Sequence, residues 1–246
     1  GLRGPGPVTG RLAPPGGSCH RWALRRFRGG CIPPAPPTGL APAAITRPNG
    51  SRPSSRSSMS VAEHYPRARA LFGERVREVS DEQWELATPC PDWNVRSLVA
   101  HVVLGEAMIP PLFGGEQVAA SSEIDPSILG PDAMSVWRGT ALAAMEAANA
   151  VGLDTIVAHP VGDVPVSTVL GFRIVDNLVH GWDLATAIGV GSELPEDLAE
   201  WSLDFLFPFA GMLGDGAFFG PIVEPPAEAA AEVRLLGLVG RQVPAS

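Results

Sequence analysis

The run Arg173-Ile174-Val175-Asp176-Asn177-Leu178-Val179-His180-Gly181-Trp182-Asp183-Leu184-Ala185 decides the fold. Together with Leu170 before it and Ile188 after it, Ile174, Leu178, Trp182 and Ala185 recur every three or four residues, the period of one helix side. Val175 and Val179 extend the apolar surface to the edges of a narrow polar stripe made by Arg173, Asp176, His180 and Asp183. A helix that is apolar around most of its circumference is buried, so this segment is expected at the centre of a helical assembly. Polar groups taken inside with it need partners, because unpaired buried polar atoms are costly. Asp176 and His180 are four residues apart and therefore lie one above the other on a single face. A carboxylate and an imidazole so placed can hold one divalent metal ion.

Outward from this helix the pattern stays helical. Residues 61–79 read as a helix with Leu71, Phe72 and Val76 on one side and Pro66 tolerated near its first turn. Thr88-Pro89-Cys90-Pro91-Asp92 is a loop, and Asn94 is placed to cap a helix running to about residue 109, ended by Pro110-Pro111 and Gly114-Gly115. A further helix is expected over 132–150, and an extended or hairpin connection over 154–166, where Pro160, Gly162 and Pro165 fall. Ser167 or Thr168 is the expected cap of the central helix, which should stop at Gly189. Helices at 195–213, entered through Pro195, and at 227–239 complete the chain, with 211–220 a glycine-rich loop. No internal repeat is visible. The expected class is all-α: an antiparallel four-helix bundle with a short extended or hairpin connection and extra C-terminal helices.

Charge divides the chain in two. Residues 1–58 carry nine Arg and no Asp or Glu, and Pro, Gly and Ser dominate the rest of them. Such a segment buries too little apolar area to offset its ordering entropy and reads as disordered. Met59, where the helical pattern begins, is expected to be the native start, with a basic arm or a transit peptide as the alternatives. Residues 59–246 form the helical domain and hold the other nine Arg against all 26 acids, a balance of −17. That acidity argues against nucleic acid and anionic membranes as partners. No stretch reads as approaching the length of a membrane span, and no apolar signal core follows the N-terminal Arg residues. Three cysteines, two of them in the N-terminal part, are no disulfide framework and fit a reducing cytoplasm.

A metal site in a bundle takes its ligands from different helices. Of the histidines that remain in the helical domain, His64 is near a helix start and His159 precedes Pro160. His101 lies mid-helix on the apolar side in Leu98-Val99-Ala100-His101-Val102-Val103, and is the third ligand beside Asp176 and His180. Two imidazoles and one carboxylate leave a coordination position open, as in catalytic zinc sites; nickel or iron are the alternatives. Asp183 is placed to orient a ligand from behind, and Arg173 to do the same or to hold an anionic substrate group. The competing reading is a core histidine plus an ordinary Asp–His pair on a solvated face. Cys90 reads as a packed loop thiol rather than a nucleophile, and Trp84, Trp93 and Trp182 as core anchors. No phosphate loop, nucleophile elbow or dinucleotide fingerprint is present.

Two segments carry a family resemblance. Thr88-Pro89-Cys90-Pro91-Asp92-Trp93-Asn94-Val95-Arg96-Ser97-Leu98-Val99-Ala100-His101 resembles the TPCxxW…H segment, and Asp176 through Ala185 the DxxxHxWDLA segment, of actinobacterial metal-binding proteins in the mycothiol-dependent maleylpyruvate isomerase N-terminal family, within the DinB-like superfamily. The tail from Val233 to Arg241 is similar to that group's ending. The resemblance implies a DinB-like four-helix bundle over about residues 59–242, and a metal held by His101, Asp176 and His180. It implies a low-molecular-weight thiol, mycothiol, as cosubstrate, and an isomerase or S-transferase acting on a small molecule in the cytoplasm. The alternatives are a metal-binding or sensing bundle without catalysis and a metal-dependent hydrolase. The isomerase has Glu where this chain has Asp176, and a further C-terminal domain for which the residues after 190 are few. Substrate, native metal and oligomeric state are not legible in the sequence.

Overall fold

The computed structural model describes residues 60–119, 124–160, 162–209, 213, 219–226 and 228–243. The expectations for residues 1–58, and for most of the 211–220 loop, fall outside the described residues. Seven α-helices and one hairpin are described: α1 (Val61–Glu78), α2 (Val95–Ala107), α3 (Ile109–Phe113), α4 (Ala133–Ala150), β1 (Ile156–His159), β2 (Gly162–Pro165), α5 (Val166–Ile188), α6 (Glu196–Leu206) and α7 (Ala231–Leu238). The class is all-α. The two short strands pair antiparallel, Ile156 opposite Pro165 and His159 opposite Gly162, and form the expected hairpin ahead of the central helix.

Four helices make the bundle, with α1 and α2 each flanked by α4 and α5. Contacts fix their directions. His101 meets Asp176 and His180, while five residues further along α2 Glu106 meets Arg173 and Asn177, so α2 and α5 run antiparallel. Arg69 donates to the Ala141 carbonyl and Trp137 packs on Phe72, so α1 and α4 are antiparallel too. Phe72 approaches Gly181 and Gln83, beyond the end of α1, donates to the Ile188 carbonyl at the end of α5, so α1 and α5 run the same way. The chain thus goes up, down, down and up.

Local chemistry explains most boundaries. Asn94 accepts from the Ser97 amide at 2.9 Å and caps α2; Asp132 does the same for α4 from Ser135 at 2.9 Å. α5 stops at Gly189, whose φ of 75° lies in the left-handed region. Three expectations need correction. Pro110-Pro111 do not end a helix but open the short α3, because proline fits the first turn, where no amide hydrogen is needed. The cap of α5 is Pro165, with no side-chain bond, rather than Ser167 or Thr168. α6 ends at Leu206 in a 3-10 turn (Phe207–Phe209), since Pro208 cannot continue an α-helix. The membrane expectation also shifts. Val95–Phe113 is long and apolar enough to span a bilayer by composition, yet it is two helices packed in the bundle and carries the buried Glu106.

α5 is the core of the molecule, buried along nearly its whole length. One side packs with α1, α3 and the hairpin through Leu170, Ile174 and Leu178. Val175 and Val179 meet α6 and α7 on another. The polar stripe faces α2 and the loop that precedes it.

Candidate metal centre

Three ligand atoms converge between α2 and α5. His101 Nε2 and His180 Nε2 each lie 3.4 Å from Asp176 Oδ1, and the three ligand atoms all lie within 4.8 Å of one another. Bonds of about 2.1 Å at tetrahedral angles put neighbouring ligand atoms roughly 3.4 Å apart, so these spacings suit one first-row ion. The imidazole planes are nearly perpendicular, at 79°, with centroids 5.0 Å apart. The site opens on one side: the His101 side chain is 21% exposed, against 7% for Asp176 and 4% for His180.

Two of the three ligands, Asp176 and His180, are oriented from behind. Arg173 donates to Asp176 Oδ2 at 2.7 Å, which leaves Oδ1 turned to the histidines. Asp183 Oδ2 lies 2.9 Å from His180 Nδ1; with the proton on Nδ1, the Nε2 lone pair faces the site. Asp183 is gripped in turn by Arg241, Nη2 to Oδ2 at 2.7 Å and Nε to Oδ1 at 3.2 Å. Trp93 lies over both imidazoles, 4.6 Å from the His101 ring and 5.6 Å from that of His180.

The loop before α2 supplies that cover. Thr88 Oγ1 donates to the Trp93 carbonyl at 2.8 Å and accepts from the Cys90 amide at 3.1 Å, and the Trp93 amide returns to the Cys90 carbonyl at 3.0 Å. The closed turn aims Trp93 at the imidazoles and the buried Cys90 thiol at Asp183, 3.3 Å away. Cys90, His180 and Asp183 form a second group with metal-ligand chemistry. Its cation position is already filled, since Arg241 Nη2 lies 3.1 Å from Cys90 Sγ as well as against Asp183.

Behind the ligands runs a buried polar network centred on Glu106. It accepts from the Tyr65 hydroxyl, from Arg173 Nε at 3.2 Å and from Asn177 Nδ2 at 2.8 Å, and pairs with Arg69 Nε at 3.4 Å. Arg173 also donates to the Val102 carbonyl at 3.1 Å.

The electrostatics follow from this crowding. Burial would raise the Asp176 carboxyl, but Arg173 and the two histidines outweigh it and hold the group well below the usual carboxylate range. Burial would likewise raise Asp183, yet Arg241 and His180 keep it ionised. Burial pushes the His101 imidazole down. It also disfavours charge on His180, but the Asp176 and Asp183 carboxylates prevail and push that imidazole up to about 9. The pocket therefore favours a positive charge between His180 and Asp176, whether a proton or a metal ion.

Comparison with known proteins follows the same residues. The family model described as the mycothiol maleylpyruvate isomerase N-terminal domain matches residues 65–185, the stretch from α1 through the DxxxHxWDLA segment. Two proteins of Mycobacterium tuberculosis, described as uncharacterized, one from strain CDC 1551 / Oshkosh and one from strain H37Rv, are each 30% identical over 184 residues, covering 73% of this chain and 96% of their own. The chain belongs to the mycothiol maleylpyruvate isomerase N-terminal domain family. A solved structure of a histidine-to-alanine mutant of mycothiol-dependent maleylpyruvate isomerase aligns with a TM-score of 0.48 at 17% identity, covering 57% of this chain and 65% of its own. The chain thus spans somewhat under two thirds of that isomerase.

Within this family member the structure brings together His101, Asp176 and His180, and sets Asp183 and Arg173 directly behind them. It does not leave Arg173 available to a substrate anion: the side chain is buried and its donors go to Glu106, Asp176 and Val102. Sequence reasoning passed over Glu106, Asn177, Tyr65, Arg69 and Arg241. A signal existed for Glu106, the one acid in the apolar run from Val95 to Phe113, and for Tyr65, the single tyrosine of the chain. Nothing in the local sequence couples Arg241 to a residue 58 positions earlier.

Proposed function

We propose that this chain is a metal-dependent, thiol-using enzyme that isomerises a small electrophile or transfers sulfur to it, with mycothiol as the thiol by family affiliation. The observation that carries the reading is the convergence of His101 and His180 on Asp176 Oδ1, each at 3.4 Å, with Asp176 and His180 fixed by partners behind them. His101, Asp176 and His180 would hold the ion, zinc first, with nickel or iron as alternatives; two nitrogens and one oxygen suit all three. Bound there, a divalent ion supplies a positive centre that lowers the pKa of a thiol and keeps its sulfur nucleophilic near neutral pH.

The chain's own residues do the rest. Arg173 holds one oxygen of Asp176 and so fixes where the other points. Asp183, itself clamped by Arg241, accepts the Nδ1 proton of His180 and prevents that imidazole from flipping. Trp93 roofs the two rings and excludes water from that side. Substrate and thiol enter past His101, the exposed ligand. A reducing cytoplasm suits both the thiol cosubstrate and Cys90, which is in its thiol form rather than in a disulfide.

Metal analysis of the purified protein, followed by thiol titration of its cobalt-substituted form, tests this. Expected are about one ion per chain and a thiolate-to-cobalt absorption band on adding thiol. Stoichiometric metal without the band would leave a binding or hydrolytic bundle. No metal above background would remove the centre.

A further inference from the structure

We infer that Gly105 and Glu106 on α2 decide which ion the centre accepts. They seat the Arg173 guanidinium so that Asp176 offers a metal one oxygen only, and a centre limited in that way takes an ion of low coordination number, zinc or cobalt, over manganese or calcium. The inference rests on the metal-binding part of the reading above and names what selects the ion.

The seat is built from both helices. Arg173 reaches from α5 to α2 and engages three different nitrogens: Nε donates to Glu106 Oε1 at 3.2 Å, Nη2 to the Val102 carbonyl at 3.1 Å, and Nη1 to Asp176 Oδ2 at 2.7 Å. A planar guanidinium held at three edges cannot turn. Glu106 is wholly buried and is itself fixed, since the Tyr65 hydroxyl and Asn177 Nδ2 both donate to it. Arg69 Nε stands 3.4 Å from Glu106 as an ion pair without a hydrogen bond. Gly105 makes the room. A Cβ there would lie 2.1 Å from Arg173 Nη1 and 2.4 Å from its Cζ. Gly105 is the single glycine of α2, and its φ is not in the left-handed region, so the backbone does not demand glycine. Glycine weakens a helix interior relative to alanine; here the missing side chain admits the guanidinium.

The ligand set follows from that seat. Asp176 Oδ2 is taken by Nη1, while Oδ1 lies 3.4 Å from both imidazole Nε2 atoms. An ion bonding both carboxylate oxygens would have to displace the guanidinium donor and move towards a buried positive charge. Two nitrogens and one oxygen therefore remain on offer. Zinc is content with four ligands in all. Manganese and calcium favour six or more, mostly oxygen, so the loss of one carboxylate oxygen costs them more.

The test uses the full-length protein, stripped of metal and loaded with cobalt, whose visible bands are intense in four-coordinate sites and weak in six-coordinate ones. Gly105→Ala pushes the guanidinium off its seat, and Glu106→Gln removes the charge that anchors it. In both, the cobalt bands are expected to lose intensity and zinc affinity to fall about ten- to a hundredfold. Manganese affinity should hold or rise, so that the preference for zinc, read by competition with a chelator, narrows by about tenfold or more. Gly139→Ala makes the same change in α4 with nothing within 4 Å of the added carbon, and should alter neither readout. In an Arg173→Gln background Gly105→Ala should add nothing further, because its effect runs through Arg173. Circular dichroism confirms folding, and if Gly105→Ala does not fold, Glu106→Gln decides. Cobalt bands and zinc preference unchanged in either folded variant, or a Gly105→Ala effect that persists in Arg173→Gln, overturn this inference and leave the metal centre intact. A wild type that takes up neither zinc nor cobalt overturns the centre, and this inference with it.

Discussion

At the scale of single residues, His180 separates the ligands from their supports. Its Nε2 faces Asp176 at 3.4 Å and its Nδ1 faces Asp183 at 2.9 Å, so one ring joins the ion site to the Arg241 clamp. Removing the ring removes a ligand. His180→Ala and His101→Ala are each expected to purify with less than a tenth of the wild-type metal, while circular dichroism reports the same helix content. Removing a support should act more mildly. Asp183→Asn and Arg241→Gln are each expected to weaken metal binding ten- to a hundredfold, the usual cost of losing a partner behind a ligand. Because both act through the same carboxylate, the double variant should be little worse than Asp183→Asn alone; full additivity, read by competition with a metal chelator, would show that Arg241 works by another route. This is also where the sequence was most and least informative. The Asp176–His180 couple is visible because helical period alone puts four-apart residues on one face. Arg241 is invisible because only tertiary packing brings it to Asp183.

At the scale of elements, α7 matters because it delivers that arginine. Gly237 carries much of the burden: its carbonyl accepts from the Val223 amide at 2.9 Å, and a Cβ at Gly237 would stand 2.4 Å from the Val223 carbonyl oxygen. The obstacle is backbone, so it cannot turn aside. Gly237→Ala is expected to destabilise the protein by about 1–3 kcal/mol, as overpacking does, and to lower metal affinity through displacement of Arg241. A thermal melt and a chelator competition on the same sample check both parts, and unchanged melting would mean that the Val223 segment yields freely. Element boundaries were legible where one residue type dictates the backbone. Asn94 supplied a side-chain cap, and Gly189 a left-handed stop. They were misread where proline opens a helix: Pro110-Pro111 begin α3, although proline after a helical run most simply reads as a terminator, and Pro165 caps α5 in place of Ser167 or Thr168. The up-down-down-up order of the bundle could not be read at all, since hydrophobic period tells which side of a helix is buried and not which neighbour covers it.

At the scale of the whole molecule, acid stability should be limited by histidine before carboxylate. His159 lies at the end of β1 against Phe172, and burial pushes its imidazole down to about 4 from an ordinary value of 6.5. Burial lowers His64 as well. Such groups stay neutral in the folded chain while the unfolded chain takes up protons, so stability falls as pH drops from about 6.5 towards 4, by up to roughly 3 kcal/mol for His159. Asp176 and Asp183 behave differently. Their folded values are depressed, so their contribution is full above the ordinary carboxylate range and is lost only at pH below it. His180 has the opposite sign: raised to about 9, it stabilises the metal-free fold at neutral pH, and that contribution fades as pH climbs through 9. The excess of surface acids works against the acid trend, because protonating them near pH 4 relieves repulsion across a body with a balance of −17. A loss of stability between pH 6.5 and 4.5 must therefore come from buried imidazoles. In metal-free protein the denaturation midpoint should fall over that interval, and His159→Phe should flatten the fall while leaving in place the decline that His180 causes as pH rises from about 6.5 through 9. An acid limb unchanged in His159→Phe would mean that His159 takes up its proton in the folded chain, and that the hairpin opens to water without unfolding the bundle.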